Sequence, residues 1–262
     1  MGLLTPGFSF ALLIGLFAAL IAMMELGRRR GRVAFTKSDA GERPAGLSTV
    51  EAVAFGLLGL LLAFTFSGAA ARLETRRAQI VDEANAIGTA WLRLDVLPAE
   101  AQPPLRDRLR RYTDSRIALY RIFAQHGVEA ALAELARSTA LQQEIWAGAV
   151  AATRDAPSTA VIVLPALNTM FDLASARMAA TAMHPPAIVY VVLAIISLVC
   201  GFLVGFEMGA TPSPSRAHMV MLAAILAITF SVIVDFEYPR LGIIRIDDFD
   251  QLIAGVRASM GQ

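Results

Sequence analysis

The chain has almost no lysine, almost no cysteine and little charge for its size. Lys37 is the only lysine and Cys200 the only cysteine among 262 residues, and charged residues make up 17%. A lone cysteine inside an apolar run excludes a disulfide framework and a thiolate metal site, so Cys200 reads as a small buried hydrophobe. A net charge of +1 excludes the basic footprint of a nucleic-acid-binding protein. No segment alternates apolar and polar residues with the two-residue period of a half-buried strand, and there is no internal repeat. His126, His184 and His218 lack partners at metal-ligand spacing, Ser67, Ser158 and Ser175 sit in no nucleophile-elbow pattern, and no glycine-rich loop follows a strand. These absences leave no enzyme, no cofactor and no metal site to expect.

What is present is apolar. Hydrophobic residues make up 56% of the chain and the mean hydropathy is +0.58, too apolar for an ordinary soluble domain of this length. Four stretches reach or approach the length of a membrane helix: 8–24, 50–71, 187–206 and 217–234. Glu51 is the only charge in them. The first is not a cleaved signal, because no basic region precedes it and the arginine run 28–32 follows where small residues would stand. That run, with Gly27 and Gly31, is expected to stop the first helix. Proline is absent between Thr49 and Leu97, so the second span is expected to continue into an arginine-rich amphipathic helix, a rod of roughly 70 Å against a hydrocarbon core of ~30 Å.

The polar region 72–185 reads as entirely helical. Pro98, Pro103 and Pro104 make a corner, and 105–125 form a helix with Leu109, Tyr112, Ile117, Tyr120 and Phe123 near one face. Gly127 and Pro157 bracket another helix, and Ser158 is expected to cap the last one. In that last helix Asn168, Asp172 and Arg177 read as a polar ladder that bonds to neighbouring helices. Orientation is ambiguous from charge alone. Arg28, Arg29, Arg30, Arg32, Lys37 and Arg43 crowd the connection after the first span, but Arg72, Arg76, Arg77, Arg177, Arg240 and Arg245 flank the other side.

The end of the chain holds an acidic turn. Asp235, Glu237, Asp247, Asp248 and Asp250 follow the fourth span, with Pro239 breaking the helix. Glu237, Asp247, Asp248 and Asp250 read either as a clasp for a hard cation or as a cap: Asp247 or Asp248 at the start of a helix over 249–258, with the other carboxylates solvated. The spacing is not that of an EF-hand.

Several stretches resemble the bestrophin-like membrane proteins, including a bacterial family of unassigned function. Residues 62–67 (Leu-Ala-Phe-Thr-Phe-Ser) followed by 71–76 (Ala-Arg-Leu-Glu-Thr-Arg) resemble the bestrophin second helix. Residues 82–90 resemble the bacterial family, 164–172 closing on His184-Pro185-Pro186 resemble the helix that leads into the third span, and 235–242 resemble the acidic turn after the fourth. The resemblance implies a homopentameric ion channel whose second helix lines a narrow apolar neck, at positions that fall on Gly56, Leu60 and Phe64. Thr65 stands where the family has arginine, Gly56 replaces a bulky residue so that the neck is wider at its outer end, and Arg240-Leu241 stands where phenylalanine is usual, which argues against calcium.

The residues themselves agree on one point. Gly56, Gly59, Ala63 and Ser67 place small side chains at helical spacing, as close helix approach in a membrane requires. The expectation is an all-α membrane protein with four transmembrane helices. Its limits are 1–71 for the first helix pair, 72–185 for a helical extramembrane domain continuous with helix 2, 186–235 for the second pair, and 236–262 for the acidic turn and C-terminal helix. It would oligomerise with itself, as a pentamer, in the inner membrane and pass an ion whose identity is open, with the helical domain in the cytoplasm as the resemblance implies. The rival class is a non-conducting membrane scaffold or signalling module whose helical domain binds a partner.

Overall fold

The computed structural model describes residues 8–36, 47–211, 215–239, 244 and 246–261. Its elements are α1 Phe8–Thr36, α2 Leu47–Arg93, a single 3₁₀ turn Leu94–Val96, α3 Gln102–Thr153, α4 Pro157–Ala182, α5 Ala187–Met208, α6 Arg216–Glu237 and α7 Asp247–Ser259. No strand occurs among the described residues. Among the described residues four helical runs are long and apolar enough to cross a membrane: Phe10–Thr36, Ser48–Val96, Pro157–Met208 (which contains α5) and Arg216–Glu237.

Two local expectations are corrected. The arginine run does not stop α1, which continues through it to Thr36; arginine is a good helix former, and the two glycines lie in the helix interior. Ser158 does not cap α4, because Ala156 holds the cap position and Pro157 takes the first turn, where its missing N–H costs nothing. Helix α7 begins at Asp247, directly after Ile246; the capping expected of Asp247 or Asp248 falls on side chains outside the described residues. The break at Gly127 is present inside α3, where this residue adopts φ 81° and ψ −173°, a backbone that glycine tolerates and side chains resist.

The chain divides into two compact units. The first comprises Met1–Leu73 and His184–Ile244, the second Glu74–Met183 and Arg245–Gln262. In the first unit α1 packs chiefly on α5 and also on α6. Its core holds Leu16, Leu20, Met24, Leu58, Leu193, Cys200, Ala223 and Phe230, with Cys200 fully buried. Glycines set the approach of α1 to α5. A methyl group built on Gly27 or Gly31 would fall on the carbonyl oxygen of Phe202 or Phe206, one on Gly205 would fall on that of Met24, and one on Gly209 would meet the Gly31 and Arg32 backbone. Small residues on facing helices let the backbones touch, which in lipid replaces the hydrophobic force as the source of association.

The second unit has a conventional apolar core of Ile87, Leu94, Leu105, Leu109, Tyr112, Leu141, Ile145, Leu167, Met170 and Ile253. Arg76, itself buried, donates to the carbonyl oxygens of Ala180 at 3.3 Å and Met183 at 2.9 Å. It thereby adds a donor at the Ala180 carbonyl, which also accepts from the Met183 N–H at 3.4 Å, and serves the Met183 carbonyl just past the end of α4.

Candidate functional site

The first span of α2 has two unlike sides. Leu58 is buried in the core of the first unit, with Phe55, Leu61 and Leu62 packed against that core. The other side is bare: Leu60 is 53% and Phe64 68% exposed, with Val53 and Leu57 beside them. Gly56, Gly59, Ala63 and Ser67 are exposed as well. A methyl group added at Gly56 or Gly59 would meet nothing within 4 Å, so nothing in this chain's own packing requires glycine there. Glycine costs a helix interior about 1 kcal/mol relative to alanine. Thr65 turns inward on itself, its hydroxyl donating to the Leu61 carbonyl at 2.7 Å, and contributes no polar group to the bare side.

At the end of α6 the acidic turn is tied to α2. The fully buried Glu237 carboxylate accepts from Arg72, whose Nε lies 2.6 Å from Oε1 and whose Nη2 reaches the same oxygen. His184 Nδ1 lies 3.5 Å from the second oxygen, and its ring stacks on Tyr238 with centroids 4.5 Å apart. Phe66 and Phe236 pack at 5.4 Å in the same unit. Glu237 therefore faces a cation supplied by the protein itself.

The second unit holds a buried ionic cluster. Glu83 accepts from Arg116 Nε at 2.6 Å and from Arg177 Nη1 at 2.7 Å, and all three side chains are almost wholly buried. Arg116 also donates to the Tyr120 hydroxyl at 3.0 Å. The Arg177 guanidinium lies 3.5 Å from the centre of the Tyr120 ring and donates to Asp250. Burial pushes the Tyr112 phenol up to about 12 and raises Tyr120 too. At Arg116 burial opposes the charge, but Tyr120, Glu83 and Tyr112 outweigh it and hold the guanidinium protonated above its ordinary range. Those three groups keep their protons near neutral pH, so the cluster reads as a structural tie and not as a proton donor or acceptor.

Of the four acidic residues singled out in the turn, Glu237 and Asp250 are thus each engaged by an arginine. The side chains of Asp247 and Asp248 lie outside the described residues, as do 240–243 and 245. Among the described residues no group of three or more histidine, cysteine or carboxylate side chains is placed to hold a metal ion. The ladder on α4 divides: Asn168 donates to Asp172 at 2.8 Å on the helix surface, while Arg177 turns to Glu83. The buried cluster escaped the sequence reading, although a signal existed. Glu83 interrupts the buried stripe Ile80, Ala84, Ile87, Ala90 and Leu94, and Arg116 interrupts Leu109, Tyr112 and Tyr120. Opposite charges, each inside an apolar stripe at helical spacing, mark a buried pair.

Helices of this length and hydropathy, the apolar first half of α2 among them, define a helical membrane protein. A family model for the Bestrophin-like domain matches residues 31–249, well over half of the chain, and the chain belongs to that family. No significant match was found among curated proteins or among solved structures.

Proposed function

We propose that the protein is a homopentameric ion channel of the inner membrane, with α2 of every copy around the pore axis and Gly56, Leu60 and Phe64 forming an apolar neck. The observation that carries this reading is the bare side of α2: two glycines without an intrachain reason, flanked by two large exposed apolar residues on the positions the family resemblance assigns to the neck. Small residues allow neighbouring copies of α2 to approach, and a ring of leucine and phenylalanine without charge gates by dewetting. In the same reading residues 72–185 form a helical extramembrane domain, inserted between the second and third spans, on the cytoplasmic side.

The test is conductance of the purified protein in planar bilayers. Phe64→Ala, and more so Leu60→Ala with Phe64→Ala, is expected to raise conductance or open probability with the oligomer intact, because removing bulk lowers the cost of wetting. Selectivity should shift less, since no fixed charge changes. Correctly assembled protein that stays silent even with both substitutions would leave the non-conducting scaffold as the better reading.

A further inference from the structure

The basic run at the end of α1 has no role in the neck or in either ionic cluster. At 3.6 residues per turn, Gly27 and Gly31 take the side of α1 that faces α5. Arg29 then points directly away from that seam, with Arg28 and Arg32 to one side and Arg30 to the other. Glu25 accepts from Arg28 at 2.6 and 2.7 Å and from Arg29 Nε at 3.0 Å, so one carboxylate serves two guanidinium groups. Arg28 is mostly covered, whereas the Arg29 side chain is 75% exposed. Arg30 and Arg32 are exposed and have no ion-pair partner among the described residues. By composition the connection 37–46 carries two basic residues, Lys37 and Arg43, and two acidic ones, Asp39 and Glu42.

Depth decides what sits opposite these arginines. At this level the neighbouring helix α5 presents Phe206, which lies against Gly31 and whose ring packs on Phe35 at 5.5 Å. Next to it stands Glu207, which makes no ion pair with these arginines among the described residues. Guanidinium groups beside the last apolar turn of a span stand at the boundary of the hydrocarbon, where the abundant anion is the lipid phosphate. Their forked N–H groups match its oxygens two at a time. We infer that Arg29, Arg30 and Arg32 form a binding site for the headgroup phosphate of anionic phospholipid. The inference needs α1 to span the membrane and is independent of whether α2 conducts. Only Arg32 of the three lies within the family-matched region 31–249.

The experiment is native mass spectrometry of the full-length protein titrated with phosphatidylglycerol or phosphatidylcholine of identical acyl chains. Each arginine near an anionic surface contributes a few-fold in affinity, so the wild type is expected to prefer phosphatidylglycerol by about tenfold or more. The combined Arg29→Gln, Arg30→Gln and Arg32→Gln variant should retain a preference of no more than about twofold. Arg111→Gln with Arg137→Gln, exposed arginines of α3, should leave the wild-type preference intact. If the triple variant does not assemble, two arms on the wild type decide. The preference should fall from low to high salt, and millimolar inorganic phosphate should not displace the lipid. Equal binding of the two lipids by the wild type, an unchanged preference in the triple variant, or displacement by free phosphate would each overturn the assignment, the last by showing a site for soluble anions.

Discussion

The two compact units differ in what joins most of their helices, although the first also ties α6 to α2 through Arg72 and the buried Glu237. In the first, α1 and α5 touch backbone to backbone over Gly27, Gly31, Gly205 and Gly209. In the second, a carboxylate and two guanidinium groups are buried together at Glu83, Arg116 and Arg177. With the second unit outside the bilayer, as proposed, each solution suits a different solvent. Lipid offers no hydrophobic force between helices and makes charge expensive, so contact must come from close packing. A domain with a large apolar core can bury an ion pair provided that every partner is present. The contrast also bears on α2. Its Gly56 and Gly59 resemble the α1–α5 glycines in sequence, yet no atom stands where their side chains would go. A glycine in a membrane helix is thus informative through what occupies the missing side chain's place, and at Gly56 and Gly59 that place is open within the protomer.

The largest effect is expected at the buried cluster. Glu83→Ala strips two buried guanidinium groups of their carboxylate and should destabilise the second unit by about 3–5 kcal/mol, read as a fall in thermal unfolding temperature. Glu83→Leu with Arg116→Met leaves Arg177 beside Asp250 and should recover more than half of that loss; no recovery would mean that the charges themselves hold the unit. Next in size is Gly205→Leu, which drives a side chain into the Met24 backbone and should cost about 1–3 kcal/mol or more in denaturant unfolding of the detergent-solubilised protein. The smallest effect belongs to α2. Gly59→Ala should leave the separated protomer unchanged or raise its stability by up to about 1 kcal/mol, whereas Gly59→Leu should lower the assembled fraction in native mass spectrometry. A Gly59→Ala protomer as unstable as a Gly205→Ala protomer would erase the distinction between the two glycine sets.

Much of this fold was legible because a membrane helix announces itself by length and hydropathy alone. The four apolar runs, the proline-free continuation of α2 and the helical character of 72–185 needed no knowledge of contacts. What was not legible depends on which helices meet. Gly27 and Gly31 repeat at a four-residue spacing, as do Gly201, Gly205 and Gly209, but beside four arginines the first pair read as a stop. Their meaning appears only when α5 is laid against α1. Likewise Glu83 and Arg116 are separated by a corner of the chain, and a single charge in an apolar stripe does not name its partner. The candidate neck was placed by family resemblance; spacing alone marks a small-residue stripe and says nothing of a pore.

The complete burial of Cys200 has a practical corollary. It is the chain's sole thiol and lies fully buried, so the unmodified protein should be nearly silent towards thiol-reactive dyes. Any cysteine introduced on an exposed position then reports its own surroundings without a cysteine-free background having to be built. Ser115 is unsuitable for this, being buried; Gln143 on α3 is exposed. With the extramembrane domain in the cytoplasm, a membrane-impermeant maleimide should label Gln143→Cys only after spheroplasts are broken. Labelling in intact spheroplasts would place that domain on the opposite side.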